Sequence, residues 1–457
     1  FSSETQNAYG PNVHDPRSGE ILESHIGWYH NVMNLLRNWY FIQTAAVNPD
    51  ARGVQFKDEV MGELIRFVSA HEVGHTLGLP HNMGSSAAYP VEKLRDPAFT
   101  KTMGTAPSIM DYARFNYVAQ PEDKGVALMP GIGIYDKHAV KWGYSYFPET
   151  NGYDNVTKLS SWIRAHENDP MYRFGRQQGN PVDPSSQTED LGDDAMLAST
   201  YGIKNLKRIM PNLIEWTKED NKDYADLQEM YGQVLGQWNR YMGHVTANIG
   251  GVYENYKTYD QKGDVYSFVP KEKQKRALTF LNEQGFATPT WMLDEGILRK
   301  FDSAGTVERI RTAQVNVLNN VLDAGRMARL IEAQAAVGNQ TYTLVEMMAD
   351  LRGGIWSELA AGRSIDTYRR NLQRGYLERM AYLMTDQEEK TSGSSRFSRG
   401  GTQVDVAQSD IRPVVRGELI ALQSQIKASL PRAKDTMTKY HLQDALVRID
   451  TILNPKS

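Results

Sequence analysis

Residues 69–84, SAHEVGHTLGLPHNMG, place three histidines and a glutamate within eleven positions. That spacing constrains the backbone beneath it more tightly than any other stretch of the chain. Side chains four apart on a helix stand one above the other, so His71 and His75 share a face. Upstream, Met61, Leu64, Ile65 and Val68 recur at three- and four-residue steps. They predict a helix from about Lys57 to Gly78 with one buried side that the two histidines continue. Gly78 follows three residues after His75, where a helix can end on a left-handed residue, and Leu79-Pro80 continues the reversal. The chain thereby brings His81 back toward the first two histidines.

Three neutral imidazoles aimed at one point form a ligand set for Zn²⁺ that leaves a fourth position for water. Glu72 adjoins the first of them on the helix. A carboxylate there can reach a coordinated water without ligating, as expected of the general base in a zinc hydrolase. Other polar residues read more simply. His138 and His244 are expected as satisfied core residues, and the separations of His14, His25 and His30 fit no ligand pattern. Asn82, directly after His81, reads as a capping or turn residue. The acidic run EDLGDD at 189–194 lacks the spacing of a calcium loop and reads as a solvated turn opening the next helix, because acids favour helix N-termini.

The 457 residues are too many for one compact core, and two or more domains are expected. The chain contains no cysteine, which excludes disulfides, thiolate ligands and thiol nucleophiles, so a metal must rest on His, Asp, Glu or Tyr. Acidic and basic residues are interspersed with a formal net charge of −4, and nothing points to a nucleic-acid partner. No apolar run approaches the roughly 20 residues of a membrane span. The first residues, FSSETQNAYG, lack the basic start and apolar middle of a signal peptide. There is no initiator Met, which suggests a piece of a longer polypeptide.

Along the chain, Asp15-Pro16-Arg17-Ser18-Gly19 supplies turn chemistry before a strand from Ile21 to Trp28, so a hairpin is expected. A helix follows over Val32 to Thr44, and YDKHAVKWGY gives a short one after the active stretch. Residues 148–195, rich in Pro, Gly, Asn and Asp, read as an extended polar connection. Beyond it the pattern is helical: Tyr224, Leu227, Tyr231, Val234, Trp238, Tyr241 and Val245 form one stripe, and others run near 307–334, 365–385 and 411–452. KTSGSSRFSRGGTQ (390–403) reads as a mobile loop. The expected division is 1–147, 148–195 and 196–457.

The run His71-Glu72-Val73-Gly74-His75-Thr76-Leu77-Gly78-Leu79-Pro80-His81 resembles the long zinc motif of the metzincin metalloendopeptidases, and SIMDY at 108–112 looks like their methionine-bearing turn. By that resemblance Met110 forms the floor beneath the metal. Tyr112 stands where the astacin-like and serralysin-like branches carry a displaceable ligand that stabilises the oxyanion. DPRSGEIL, YDKHAVKWGY, EDLGDDA and ATPTWMLD extend the likeness over about 15–320, to a family of large bacterial zinc-dependent metalloproteases with a helical C-terminal region. The resemblance implies an α+β fold: a metzincin-like zincin catalytic domain followed by a mainly α-helical domain. Only 70 residues precede His71, so an incomplete N-terminal lobe is expected.

The function so implied is zinc-dependent peptide hydrolysis, with Glu72 and Tyr112 catalytic and His71, His75 and His81 as ligands. The partner is a peptide or protein substrate, and the class implies a secreted, periplasmic or cell-surface location. The strand near Glu20 to Gly27 offers an edge against which an extended substrate could pair. The alternative is a binding platform for a protein or glycan with little turnover. An intact Glu72 favours the enzyme, because a scaffold has no need of a base beside its histidines.

Overall fold

The computed structural model describes residues 4–148, 152–385 and 404–455. The loop expected at 390–403 lies outside the described residues. By internal contacts the chain forms two compact units, Phe1–His244 with Tyr253–Ser267, and Val245–Val252 with Phe268–Ser457.

The first unit opens with two short antiparallel ribbons, β1 (Ala8–Tyr9) with β4 (Gly27–Trp28) and β2 (Asn12–His14) with β3 (Ile21–Ser24). The expected hairpin closes at Asp15–Gly19, where Gly19 takes φ +76° and donates its amide to the Asp15 carbonyl, while the Asp15 amide donates to the Glu20 carbonyl. The single strand expected from Ile21 to Trp28 is instead split between two partners. Pro11 lies at the corresponding break on the opposing segment, where its missing N–H cannot continue a ladder.

Helix α1 (Val32–Thr44) packs on α2 (Asp58–Thr76), and Leu64, Phe67, Val68 and His71 form the buried side of α2 at helical spacing. Gly78, at φ +85°, turns the chain immediately beyond, as the sequence predicts. After α3 (Pro97–Met103) and α4 (Ile134–Tyr144) comes α5, Gly152–Arg164, inside the stretch expected as an extended connection. Its abundant Gly, Pro and Asn flank this helix and leave a 13-residue run without proline. The remaining helices of the unit are α6 (Ala195–Ile209), α7 (Leu213–Trp216) and α8 (Ala225–Thr246). Thus helices from beyond 195 belong to the same compact unit as the zinc motif. Arg37 on α1 pairs with Glu229 on α8 at 2.8 Å, and Gln43 reaches Gln237 on α8 and accepts from the Phe115 amide. The stripe on α8 is buried as expected, apart from exposed Tyr224 before the helix. A third ribbon pairs β5 (Val252–Glu254) with β6 (Tyr266–Phe268).

The second unit is helical: α9 (Lys271–Phe280), α10 (Glu295–Leu298), α11 (Thr306–Val321), α12 (Ala324–Val337), α13 (Leu344–Ile355), α14 (Ser357–Ala361), α15 (Thr367–Thr385), α16 (Ile411–Ser429) and α17 (Thr436–Leu453). Helix α15 packs on α11, α16 and α17, and α16 also packs on α13. Of the expected α+β fold the helical part is what the structure shows: helices dominate, and among the described residues the only sheets are two-stranded ribbons.

Candidate metal centre

Two turns of α2 and the reversal after it bring the three histidines together. Their ligand nitrogens all lie within 4.8 Å of one another. His81 Nε2 stands 3.2 Å from His71 Nε2 and 3.0 Å from His75 Nε2. Each Nδ1 faces an oxygen: the Ile109 carbonyl for His71 at 2.7 Å, the Leu79 carbonyl for His75 at 2.8 Å and Gln177 Oε1 for His81 at 2.8 Å. An imidazole that donates from Nδ1 carries its lone pair on Nε2. Three lone pairs therefore meet with no proton among them, an arrangement that repels unless a cation sits between. Nitrogens bound to a tetrahedral ion at about 2.0–2.1 Å stand a little over 3 Å apart, close to the spacing seen here. Burial pushes His71 down to about 3 and His81 down to about 4, so both are neutral ligands at ordinary pH.

Glu72 is 6% exposed and its Oε2 has no hydrogen-bond partner. Burial raises its carboxyl above the usual range. A buried carboxylate oxygen without a donor, next to a ligand histidine, has room for a proton-bearing group that only a bound molecule can supply.

The segment 108–112 lies beneath the histidines. Ile109 supplies the acceptor for His71, and Met110 is fully buried against Gly74, where an added Cβ would overlap its sulfur. Asp136, near the start of α4, holds this segment: its carboxylate accepts from Ser108 Oγ at 2.6 Å, from the Ile109 amide at 2.8 Å and from the Gly133 amide at 2.8 Å. Sequence reading had no role for this aspartate, although it sits inside the YDKHAVKWGY stretch that carried the resemblance. The Tyr112 ring lies 4.4 Å from that of His81 and 5.2 Å from that of His71, centroid to centroid.

Beneath Tyr112 is a residue the sequence did not single out. The Arg114 guanidinium lies 4.3 Å from the Tyr112 ring on one side and 3.7 Å from the Trp39 ring on the other. Glu189 ion-pairs with it at 3.4 Å and with Arg240 at 2.8 Å. Arg114 and Glu189 both have left-handed backbone, at φ +57° and +67°, which costs a non-glycine residue energy and is concentrated at functional sites. Glu189 and Asp190 are buried, so the acidic run at 189–194 is not a solvated turn. Arg114, Arg240 and Ser86, distant in the linear sequence, face its first two acids. Asp194 does open α6, accepting from the Met196 and Leu197 amides.

Asn82 does more than cap a turn. Fully buried, it accepts from the Gly175 amide, donates to the Arg173 carbonyl and bonds the Met110 carbonyl through its own amide. The other histidines stay apart from the centre. His244 is buried with Nε2 at 2.9 Å from the Thr188 carbonyl, while His138 stacks edge-on to His166 and Tyr172. A cavity of about 1540 Å³ opens beside the Leu77–Pro80 loop, with Tyr135, Trp142, Tyr172 and Tyr256 on its walls.

The family model described as Met-zincin matches residues 53–362, and the chain belongs to that family. With the three-histidine group, this membership points to Zn²⁺ as the ion. No curated protein and no solved structure matches the chain. No described helix is long and apolar enough to cross a membrane.

Proposed function

We propose that the protein is a zinc metalloendopeptidase, with His71, His75 and His81 as ligands and Glu72 as general base. The observation that carries this is the convergence of three Nε2 atoms, each on a ring whose Nδ1 faces an oxygen, on the helix that also carries the buried, unpartnered Glu72 carboxylate. When bound, zinc polarises a scissile carbonyl and acidifies water held at its open position. Glu72 Oε2 accepts a proton from the attacking water and later delivers it to the departing amine nitrogen. In this reading residues 108–112 are the methionine-bearing turn. Met110 sets the floor, and the Tyr112 hydroxyl donates to the oxyanion as it develops.

The extended substrate pairs with β3, whose outer edge is unpaired among the described residues. The catalytic part is 1–147, and 196–457 is the helical remainder that in part supports it. The class of enzyme suggests action outside the cytoplasm.

The test is zinc content together with hydrolysis of a mixed peptide library, for the wild type and Glu72→Gln. Stoichiometric zinc in both, with cleavage reduced on the order of 10³-fold or more in the variant, is expected. Equal cleavage by the two would remove Glu72 from the reaction. Zinc without cleavage in either would favour the binding platform.

A further inference from the structure

Behind the metal centre lies a second group of buried oxygens. Asp111 follows Met110, and Asp190 belongs to the acidic run 189–194; they are 2% and 5% exposed. Asp111 Oδ2 accepts from the Ser86 amide at 2.6 Å, but Asp111 Oδ1 and Asp190 Oδ1 have no hydrogen-bond partner. The hydroxyls of Ser85 and Ser86, 1% and 0% exposed, have none either. The Ser86 hydroxyl stands beside both carboxyls, and the two acids feel each other's charge. Arg173, whose charge acts on Asp190, is already bound to Asp183 at 2.6 Å.

Three unpartnered oxygens in one buried place, Asp111 Oδ1, Asp190 Oδ1 and Ser86 Oγ, cost several kcal/mol if left empty-handed. Desolvation raises both carboxyls, Asp190 to about 7, yet protonation does not resolve the geometry. A proton shared between acids needs two oxygens within hydrogen-bonding reach, and neither Oδ1 has such a partner. Oxygens arranged around an ion differ: at about 2.3–2.6 Å from Ca²⁺ they stand roughly 3.3 Å or more from one another and make no bonds among themselves. The histidine nitrogens show the same kind of approach without a proton between them.

We propose that Asp111, Asp190 and Ser86 bind a hard, oxygen-ligated cation, Ca²⁺ by charge and burial, at a site separate from the zinc centre. Two carboxylates balance a divalent ion. The all-oxygen set disfavours zinc and copper, and the dry surroundings disfavour Mg²⁺, which keeps its waters. The site does not depend on the peptidase reading. Through Asp111 and Met110, adjacent in sequence, it would fix the segment that bonds His71.

The experiment uses the full chain loaded with zinc and freed of calcium. Equilibrium dialysis against radioactive Ca²⁺ should return one ion per chain. Thermal melting should rise by about 5 °C at a hundredfold excess over the dissociation constant, with no rise from equal Mg²⁺ or Na⁺. Asp190→Asn should abolish calcium uptake and the shift while keeping one zinc per chain, and Ser86→Ala should weaken calcium binding about tenfold. Absence of calcium uptake by the wild type, or unchanged uptake by Asp190→Asn, would overturn the proposal.

Discussion

Arg114 and Arg369 are both buried arginines paired to a buried glutamate, one in each compact unit, and they are held in opposite ways. Arg369 bonds Glu358 and also donates to the carbonyls of Phe286, Gly354 and Ile355, while Gln373 bonds both Glu358 and the Ile355 carbonyl. Arg114 has its Nε 3.4 Å from Glu189 with no hydrogen bond, its plane occupied by two rings and its backbone left-handed. The first network ties off carbonyls at the end of α13, as a group serving stability does. The second leaves polar capacity unused while fixing the position of Tyr112. Satisfied and unsatisfied buried charge thus separate a group that holds a fold from one that holds a site.

The largest effect expected of this contrast is at Arg369. Arg369→Ala leaves the Glu358 carboxylate without its counter-charge in the core and the Phe286 and Gly354 carbonyls without their side-chain donor, and urea unfolding of the second unit should show a loss of about 3–5 kcal/mol with zinc content unchanged. A cost under about 1 kcal/mol would erase the distinction.

The same unit should also weaken in acid. His441, bonded through Nε2 to Gln373 Oε1, is pushed down by burial to about 4, below its unfolded value near 6.5. Its stabilising effect is complete above 6.5 and is lost as the pH falls toward 4, because the unfolded chain takes up the proton first. Melting curves across that window should record a loss of up to about 3 kcal/mol, and His441→Gln should flatten it.

In the first unit, Gly74→Ala forces a methyl into the Met110 sulfur and should cost about 1–3 kcal/mol in denaturant unfolding. It should also weaken zinc retention against a chelator, which a purely structural contact would leave alone. The smallest effect is expected at Arg114. Arg114→Met keeps apolar contact with Trp39 and Tyr112 but loses the charge. A kcat lower by roughly tenfold, with KM, zinc content and melting temperature nearly unchanged, is the signature of a positioning residue. A large fall in melting temperature instead would place Arg114 with Arg369.

The parts of this structure legible in the sequence are those that short-range periodicity or turn chemistry encodes. The buried face of α2, the stop at Gly78, the hairpin at Asp15–Gly19 and the stripe on α8 are of this kind, and so is the meeting of His71, His75 and His81. What stayed hidden depends on contacts distant in sequence. Gln177 reaches His81 across 96 positions, Asp136 clamps Ile109 across 27, and Glu189 meets Arg114 only after the chain has folded back. Composition misled in two places. Polar residues around 148–195 masked α5, and acids at 189 and 190 looked solvated because their buried neighbours come from elsewhere. The clue available for Asp136 was its place in the YDKHAVKWGY stretch, inside the range 53–362 that the family model matches.

The acceptor on His81 has a consequence for biosynthesis. A ribosome that has released residue 81 has delivered all three imidazoles, yet the oxygen that orients the third belongs to Gln177, and the amide that anchors its neighbour Asn82 belongs to Gly175. A nascent chain therefore presents ligands long before it presents a finished pocket. The native setting of the third imidazole is complete only when nearly one hundred further residues are present.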